Sequence, residues 1–393
     1  MDKKTYKLKD FAEPIAVAVT DPQKSCHNIF VGLEHYDSGE PVISRFSDTS
    51  LLNSSCKEFQ KNDILIARRN VYLRRAGIAP FDGLTSGDSI VLRLFEDCEE
   101  RTGISYDVAI KIIPFVLNSN SFWLYANRHA NGMNSKRISK EKVLDYEFYL
   151  PSLAEQKVLA EKLWAAYEVK QSYLKMIAAT EEMVKAQFIE MFGDPIQNSK
   201  GWVKEKMGSV CKYISDGSHY SPPDDNTSII PMLSVKDMSN NGFLYNECKH
   251  ISIDEYKNLC ANGCKPLRDD VLVAKDGSYF KYIFPLVEER DQAILSSIAI
   301  LRPNKEVITP RFLCEYLKNN EVLGVIERNY LTGTAIRRVI LKGFKEIQVY
   351  LPPVGLQKNF ESIYNQADKS ISELRKSVDA IDKVIKSLIN ENL

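Results

Sequence analysis

The sequence has few histidines, no paired cysteine motif and no long apolar run, and each absence narrows the function. Five histidines occur in 393 residues, which leaves little room for nucleophile–histidine pairs. No uninterrupted apolar stretch approaches the length of a membrane span, and the first residues lack the apolar core of a signal peptide. We therefore expect a cytoplasmic globular protein that does not contact a membrane.

The cysteines also argue against a metal centre. All eight are scattered, and none forms a CxxC pair. Cys260 and Cys264, close to Cys248 and His250, suggest zinc, but the usual spacing of two ligand pairs is absent. We expect reduced, mostly buried thiols and no bound metal.

Charge is balanced overall but uneven along the chain, with 52 basic and 52 acidic residues. A neutral chain is atypical of a protein that binds nucleic acid unaided. The segment 68–75 nevertheless holds four arginines around an aromatic residue. A sparser basic group in the second half consists of Lys275, Lys281, Arg337 and Arg338. This pattern is typical of a subunit whose partner supplies further phosphate contacts.

Two segments carry the three-and-four spacing of apolar residues that predicts a long amphipathic helix. The first, 151–195, begins with Pro151 and stops at Gly193, both favourable positions. Lys170 and Thr180 are polar residues at two positions of this pattern. The apolar positions are Leu159, Leu163, Ala166, Tyr173, Ile177, Val184, Phe188 and Met191. Those of the second, 352–393, are Phe360, Tyr364, Ala367, Ile371, Leu374, Val378, Ile381, Ile385 and Leu388. At roughly 60 Å each, these helices need partners, and we expect an antiparallel, coiled-coil-like pair.

The two helices belong to an internal repeat. Leu150-Pro151 corresponds to Leu351-Pro352 at an offset of 201 residues. Upstream, the block 62–68 resembles 269–275, with an offset that drifts by a few residues as loop insertions would produce. An α+β chain with a pseudo-twofold internal repeat follows. Its predicted parts are a mixed α/β domain at 1–150, a spacer helix at 151–195, a second mixed domain at 196–351 and a second spacer helix at 352–393.

Shorter elements are predicted within the two domains. Apolar runs bounded by turn residues predict strands at 63–67 and 89–94. Helices are predicted at 119–131 and 310–319, the second with a proline in its first turn.

Two short motifs approach catalytic signatures but are incomplete. The run 221–224 resembles the Pro-Pro-aromatic motif of amino-methyltransferases, yet its fourth residue is Asp224 and no Gly-rich cofactor loop accompanies it. Asp224 with Ser234 and Lys236 resembles a nuclease core, but a serine replaces the second metal-binding carboxylate. We expect loop residues at both places, and a chain that is not an enzyme and binds no cofactor.

The candidate nucleic-acid contacts lie in polar, glycine-broken segments near predicted strands. Arginines at a strand end can bind phosphates, or guanine through two hydrogen bonds. The alternative is a set of solvated charged loops and structural turns. The predicted contacts are Arg68, Arg69, Tyr72, Arg74, Arg75, Lys136, Arg137, His219, Tyr220, Lys275, Ser278, Tyr279, Lys281, Thr334, Arg337 and Arg338.

Together these features resemble the DNA-specificity (S) subunits of type I restriction-modification enzymes, over essentially the whole chain. The resemblance is carried by the duplicated Leu-Pro-x-x-x-x-Gln-Lys helix starts and by four further blocks, 31–35, 63–65, 190–195 and 216–219. One departure is Leu356, where the family has the acidic residue that Glu155 retains. The resemblance implies two target-recognition domains, each reading half of a bipartite double-stranded DNA target, with the helices setting the gap.

The resemblance further implies two modification (methyltransferase) subunits that carry S-adenosylmethionine, and restriction subunits that use ATP and Mg²⁺. The residues expected to contact a partner are Leu150, Pro151, Glu155, Gln156, Lys157, Leu351, Pro352, Gln357 and Lys358. Two alternatives are the recognition region of a single-chain methyltransferase or endonuclease, and a coiled-coil scaffold that does not bind DNA. The first lacks its catalytic motifs, and the second leaves the duplicated basic segments unexplained.

Overall fold

The computed structural model describes residues 4–133, 135–276, 278–333 and 337–393. The chain divides into two compact units, Met1–Met176 with Leu374–Leu393, and Ile177–Glu373. The helices are α1 (Cys98–Thr102), α2 (Tyr106–Val116), α3 (Asn120–His129), α4 (Lys140–Leu144), α5 (Leu153–Phe192), α6 (Met207–Val210), α7 (Ile253–Ala261), α8 (Pro310–Lys318), α9 (Asn320–Tyr330), α10 (Leu341–Glu346) and α11 (Val354–Asn392). Across the described ranges, every helix is too short or too polar to cross a membrane.

The first unit is built on an antiparallel sheet of order β2-β10-β7-β8 and a five-stranded sheet of order β3-β6-β9-β4-β5. Its strands are β1 (Lys4–Lys7), β2 (Ala12–Ile15), β3 (Ala18–Val19), β4 (Ile29–Val31), β5 (Ser47–Asp48), β6 (Cys56–Phe59), β7 (Ile64–Ala67), β8 (Ala76–Ile78), β9 (Gly83–Thr85), β10 (Ser89–Leu94) and β11 (Glu147–Leu150). β7 is apolar throughout because all its residues are buried. β4 and β9 run parallel, and β1 pairs with β11.

The second unit repeats the four-stranded sheet and the β1–β11 pair of the first unit, but the largest remaining sheet among its described residues has three strands instead of five. Its strands are β12 (Val203–Lys206), β13 (Cys211–Asp216), β14 (Ile230–Leu233), β15 (Met238–Ser239), β16 (Gly242–Phe243), β17 (Lys249–Ile251), β18 (Val271–Ala274), β19 (Ile283–Pro285), β20 (Ala293–Ile294), β21 (Ile298–Pro303), β22 (Leu331–Thr332), β23 (Arg338–Val339) and β24 (Gln348–Leu351). The order β13-β21-β18-β19 matches β2-β10-β7-β8, and the pair β12–β24 matches β1–β11. The internal repeat and the mixed α and β content are thus confirmed, while the predicted domain bounds remain predictions.

Each four-stranded sheet contains the same buried ion pair. Asp63, just before β7, accepts hydrogen bonds from Nε and Nη2 of Arg93 at 2.8 and 2.7 Å. Asp270, just before β18, accepts the matching pair from Arg302 at 2.7 and 2.9 Å. Each carboxylate also accepts a backbone N–H three residues earlier. With both aspartates at most 1% exposed, these bonds satisfy charges that would otherwise be costly to bury.

Both long helices are confirmed, with 40 residues in α5 and 39 in α11. All their predicted apolar positions are buried or half-buried. In the first unit, Leu159 and Leu163 cluster with Ile389. Further along α5, Lys170 forms an ion pair with Asp382 at 2.7 Å. Because rising numbers in α5 meet falling numbers in α11, these segments run antiparallel, as predicted.

In the second unit, the end of α5 packs into an aromatic cluster. Phe188 and Phe192 lie 4.8–5.5 Å, between ring centroids, from Phe312 on α8 and Phe360 on α11. Gly193 then adopts a φ of +79° and donates its N–H to the carbonyl four residues earlier. This left-handed conformation favours glycine and ends the helix, so the predicted stop is confirmed.

Candidate nucleic-acid interface

The first basic loop, residues 68–75, joins β7 to β8 and has a fixed conformation. The N–H of Ala67 bonds to the carbonyl of Arg75 at 3.0 Å and closes the loop. Asn70 and Arg74 have φ values of +55° and +52° on either side of a 3-10 turn. Within that turn one side chain is buried, and Tyr72 is 61% exposed. The loop therefore presents an aromatic ring to solvent between arginines.

The arginines of the first basic loop are held in place by polar partners. Arg69 Nε donates to the hydroxyl of Ser135 at 2.8 Å. Arg74 Nη1 donates to the side-chain oxygen of Asn120 at 2.7 Å. Arg75 donates to two backbone carbonyls at 2.7 and 3.1 Å. This support reduces the entropy that ordering long side chains on a ligand would cost.

Asp88 lies between the first basic loop and the second predicted basic segment of this unit, Lys136 and Arg137. Its carboxylate lies 3.8 Å from Arg68, 3.9 Å from Arg69 and 3.2 Å from Arg137. The backbone of the second segment also pairs with the first basic loop, at the bridge between Arg69 and Arg137. Lys136 is exposed beside it. One carboxylate shared by three guanidinium groups leaves this surface positive.

The second loop, residues 275–282, joins β18 to β19 and has the same length. The N–H of Ala274 bonds to the carbonyl of Tyr282 at 2.9 Å, matching the closure of the first basic loop. Lys275 is 6% exposed and forms an ion pair with Asp216 at 2.5 Å. Tyr279 is half-buried, whereas Ser278 and Lys281 are exposed. The lysine at the start of this loop is therefore already neutralised.

The other predicted contacts of the second unit surround that loop. A backbone bridge joins Asp276 to Arg338 and matches the bridge between the basic segments of the first unit; Arg337 and Arg338 are both exposed. His219 is exposed, with Nε2 3.5 Å from the carboxylate of Asp216, and Tyr220 beside it is 56% exposed. Thr334 lies outside the described residues. Contact of all these residues with DNA stays a prediction.

The predicted partner residues at the helix starts divide into buried and exposed groups. Gln156 and Gln357 are buried and donate to the carbonyl five residues earlier at 2.9 and 2.8 Å. Glu155 accepts the N–H and hydroxyl of Ser152 at 3.0 and 2.7 Å, so it caps α5. Leu150, Pro151 and Pro352 are buried, and Leu351 is half-buried. The exposed residues are Glu155, Lys157 and Lys358. The contribution of the whole set to partner binding remains a prediction.

The near-catalytic motif is a loop, as expected. Residues 221–224 lie outside helices and strands. Ser221 accepts a hydrogen bond from Lys249 at 3.0 Å, and Asp224 accepts the N–H of His250 at 3.1 Å. In the part of the chain that the structure describes, no group of three His, Cys, Asp or Glu side chains is placed to hold a metal ion.

Several residues of this interface were missed from the sequence. Asp88, Asn120, Ser135 and Asp216 each bind a predicted cation. Their partners lie as far as 66 residues away along the chain, so no local spacing signals them. Knowledge of the backbone pairing between Arg69 and Arg137 would have indicated Asp88 and Ser135, which contact these two segments.

No family model matches the chain. Among solved structures, it is similar to the S subunit of a type I restriction-modification system from M. genitalium, at 13% identity and a TM-score of 0.56, covering 99% of this chain and 95% of that one. It is also similar to a chain from a type I restriction-modification system solved to study complex assembly and conformational transition. That likeness has 17% identity and a TM-score of 0.52, covering 99% and 97% of the two chains. The protein therefore has the fold of a type I restriction-modification S subunit.

Proposed function

We propose that the chain is the DNA-specificity subunit of a type I restriction-modification complex. The observation that carries the proposal is the duplication: two units with the same four-stranded sheet each place a closed loop and cations at the same strand ends. In this proposal each unit reads one half of a bipartite target in double-stranded DNA. Exposed cations clustered within each unit of a chain of balanced charge fit a protein that binds DNA locally rather than along its whole length.

The catalytic work belongs to partner subunits in this proposal. Two modification subunits bring S-adenosylmethionine and transfer the methyl group, and restriction subunits bring ATP and Mg²⁺. The exposed positions at the two helix starts, Glu155, Lys157 and Lys358, are the candidate docking points. The incomplete 221–224 motif, whose Ser221 and Asp224 accept hydrogen bonds from Lys249 and His250, supports a chain without its own methyl transfer.

Methylation assays test the proposal directly. The purified chain, the modification subunit and their mixture are each given labelled S-adenosylmethionine and genomic DNA of a strain that lacks the system. Label should enter DNA only with the mixture, at a fixed set of sites. Methyl transfer by the highly purified chain alone would favour the single-chain methyltransferase. If the mixture neither binds nor methylates DNA, the result would favour the coiled-coil scaffold that does not bind DNA.

The long helices have the second role in the proposal, as the element that sets the gap between half-sites. Each of α5 and α11 is continuous and contributes residues to both units. An α-helix rises about 1.5 Å per residue, and a heptad pattern keeps its seam only when length changes by whole heptads. Helix length therefore fixes the gap in steps rather than continuously.

A further inference from the structure

A cationic cavity in the first unit lies beside the first basic loop but includes residues outside it. Its volume is about 190 Å³, and its polar lining consists of Lys57, Arg68 and Lys140. Lys57 lies on β6, Arg68 follows β7, and Lys140 begins α4. The rest of the lining is apolar and comes from residues on or next to β2 and β10. Three chain segments thus bring three cations to one concave site.

The cations retain unused hydrogen-bonding capacity. Lys57 Nζ donates to the carbonyl of Ser89 at 2.6 Å, one of the three bonds an ammonium can donate. Arg68 Nε is buried and, within the described residues, makes no hydrogen bond; the carboxylate of Asp88 lies 3.8 Å away. A buried donor without an acceptor is costly. An oxygen-rich anion in the cavity would supply the missing acceptors.

Local charge favours an anion as well. Burial, and then the like charge of Arg68, lowers the pKa of Lys57, while Asp88 opposes this effect. That carboxylate is already shared among three arginines. The other nearby carboxylate, Glu141, is exposed and held by its own backbone N–H and by Ser139. Cations therefore outnumber carboxylates around the cavity.

We propose that this cavity binds one phosphodiester group of the DNA backbone through Lys57, Arg68 and Lys140. The inference rests on the proposed function and adds a site to it. A water molecule occupies about 30 Å³ in the liquid, so the cavity has room for a phosphate group. Phosphate contacts fix a protein's register on DNA without reading sequence. Base reading is then left to other contacts of the first unit.

In the described part of the second unit, the positions that match two of these cations differ, which makes that unit an internal reference. The position matching Lys140 at the repeat offset is Leu341, at the start of α10. The position matching Arg68 is Lys275, which is already paired with Asp216. One anchoring phosphate contact is therefore expected for the half-site of the first unit alone.

Matched double variants of the full chain, in complex with the modification subunit, test the inference. The cavity variant is Lys57→Gln with Lys140→Gln. The control is Lys61→Gln with Lys142→Gln, which removes the same charge from the exposed neighbouring lysines of the same segments. Affinity for a mixed-sequence duplex is measured by fluorescence anisotropy across a salt series. Lys140→Gln alone is also measured, because an exposed residue at the start of a short helix does not decide folding.

The cavity variant should lower the slope of log affinity against log salt by about one, and the control should not change it. One phosphate contact corresponds to roughly 3.5-fold in affinity between about 50 and 200 mM salt. Lys140→Gln should show part of the same effect. Identical slopes for the cavity variant and the control, with a wild type that binds, would overturn the inference and leave the proposed function intact.

Two further results separate the remaining explanations. A wild-type complex that binds no DNA would contradict the proposed function itself. Inorganic phosphate is then titrated against the free chain while thermal unfolding is followed. Stabilisation of the wild type but not of the cavity variant, together with an unchanged DNA salt slope, would assign the cavity to free phosphate and overturn the backbone site.

Discussion

The two matched loops follow equivalent strands of the same four-stranded sheet, which we call the shared frame, but they expose different side chains. Residues 68–75 and 275–282 have equal length, follow equivalent strands and carry a tyrosine at the same position, Tyr72 and Tyr279. The first presents its tyrosine to solvent among four arginines. The second withdraws Lys275 into an ion pair, and its Phe280 packs into the core with a φ of +55°. The fold thus repeats while the chemistry of the loops diverges.

This difference shows which constraints the repeat retains. Strands must pair, and the buried aspartates Asp63 and Asp270 must meet an arginine, so these features are nearly identical in both units. Loops at strand ends are not constrained by strand pairing or by a buried ion pair, so their sequences can vary. We therefore expect the two half-sites to be bound with different electrostatic contributions, stronger in the first unit.

The largest effect should come from breaking the shared frame. Asp63→Ala and Asp270→Ala each leave a partly buried arginine and a backbone N–H without their acceptor. Each should lower the free energy of unfolding by about 3 kcal/mol. Urea unfolding of the two variants measures the loss, with Asp21→Ala at an exposed pair as a control of little effect. A large loss in one unit only would contradict the equivalence of the two frames.

The next largest effect should come from lengthening the two long helices by the same number of residues. A seven-residue insertion in both α5 and α11 adds about 10 Å, or roughly three base pairs at 3.4 Å per step. It also rotates the second half-site by about a hundred degrees, since a helical turn takes about 10.5 base pairs. Methylation is measured on oligonucleotides that differ only in the gap between half-sites. The oligonucleotide with the native gap should be methylated less, and any newly preferred gap should be longer.

A four-residue insertion in α5 alone is the mismatched control. It breaks the seam against α11 and should cost stability before it changes the gap. A double-insertion protein that folds, methylates and keeps the original gap would show that the helices do not set it.

A smaller effect should separate the two loops by charge. Arg69→Gln with Arg74→Gln should lower the salt slope of DNA binding by about two, and Lys281→Gln in the second loop by about one. Lys275→Gln should change the slope least, because Asp216 already neutralises that lysine. Fluorescence anisotropy over a salt series measures the three slopes. Equal slopes for all three variants would contradict the expected electrostatic difference between the two units.

The smallest effect concerns one position in the helix seam. Lys170 is buried on α5 and bonds to Glu40 and Asp382, whereas the matching position of α11 is Ile371. Lys170→Ile makes the helices alike and leaves two carboxylates unpaired. Because both are partly exposed and an isoleucine suits the seam, the expected loss in unfolding free energy is about 1 kcal/mol.

The pH dependence of that variant provides its control. Burial disfavours the charge of Lys170, but hydrogen bonds to Asp382 and Glu40 outweigh burial and raise its pKa. The stabilisation is therefore present below about pH 10.4, the ordinary lysine pKa, and is lost as pH rises through the folded-state pKa. The wild type should show this alkaline loss of stability and Lys170→Ile should not. The same alkaline profile in both proteins would contradict the assignment.

The sequence was sufficient for features with a strong periodic signal. The apolar run 64–67 and the helices α5, α8 and α11 were predicted with nearly their final bounds. α2 was missed, because Pro114 lies inside it and a proline argues against a helix interior. The candidate site was predicted only as loops and cations. Its anchors, such as Asp88, and the cavity lysine Lys57 come from segments far apart in the chain, so only the folded topology brings them together.

The most direct measurement of the central claim maps methylated bases genome-wide in a host that expresses the chain with its modification subunit. The wild type should produce one motif made of two specific parts separated by a gap of fixed length. Arg69→Gln with Arg74→Gln should weaken or relax only one part, while the gap and the other part stay unchanged. A contiguous motif, or a change in both parts at once, would contradict the assignment of one half-site to each unit.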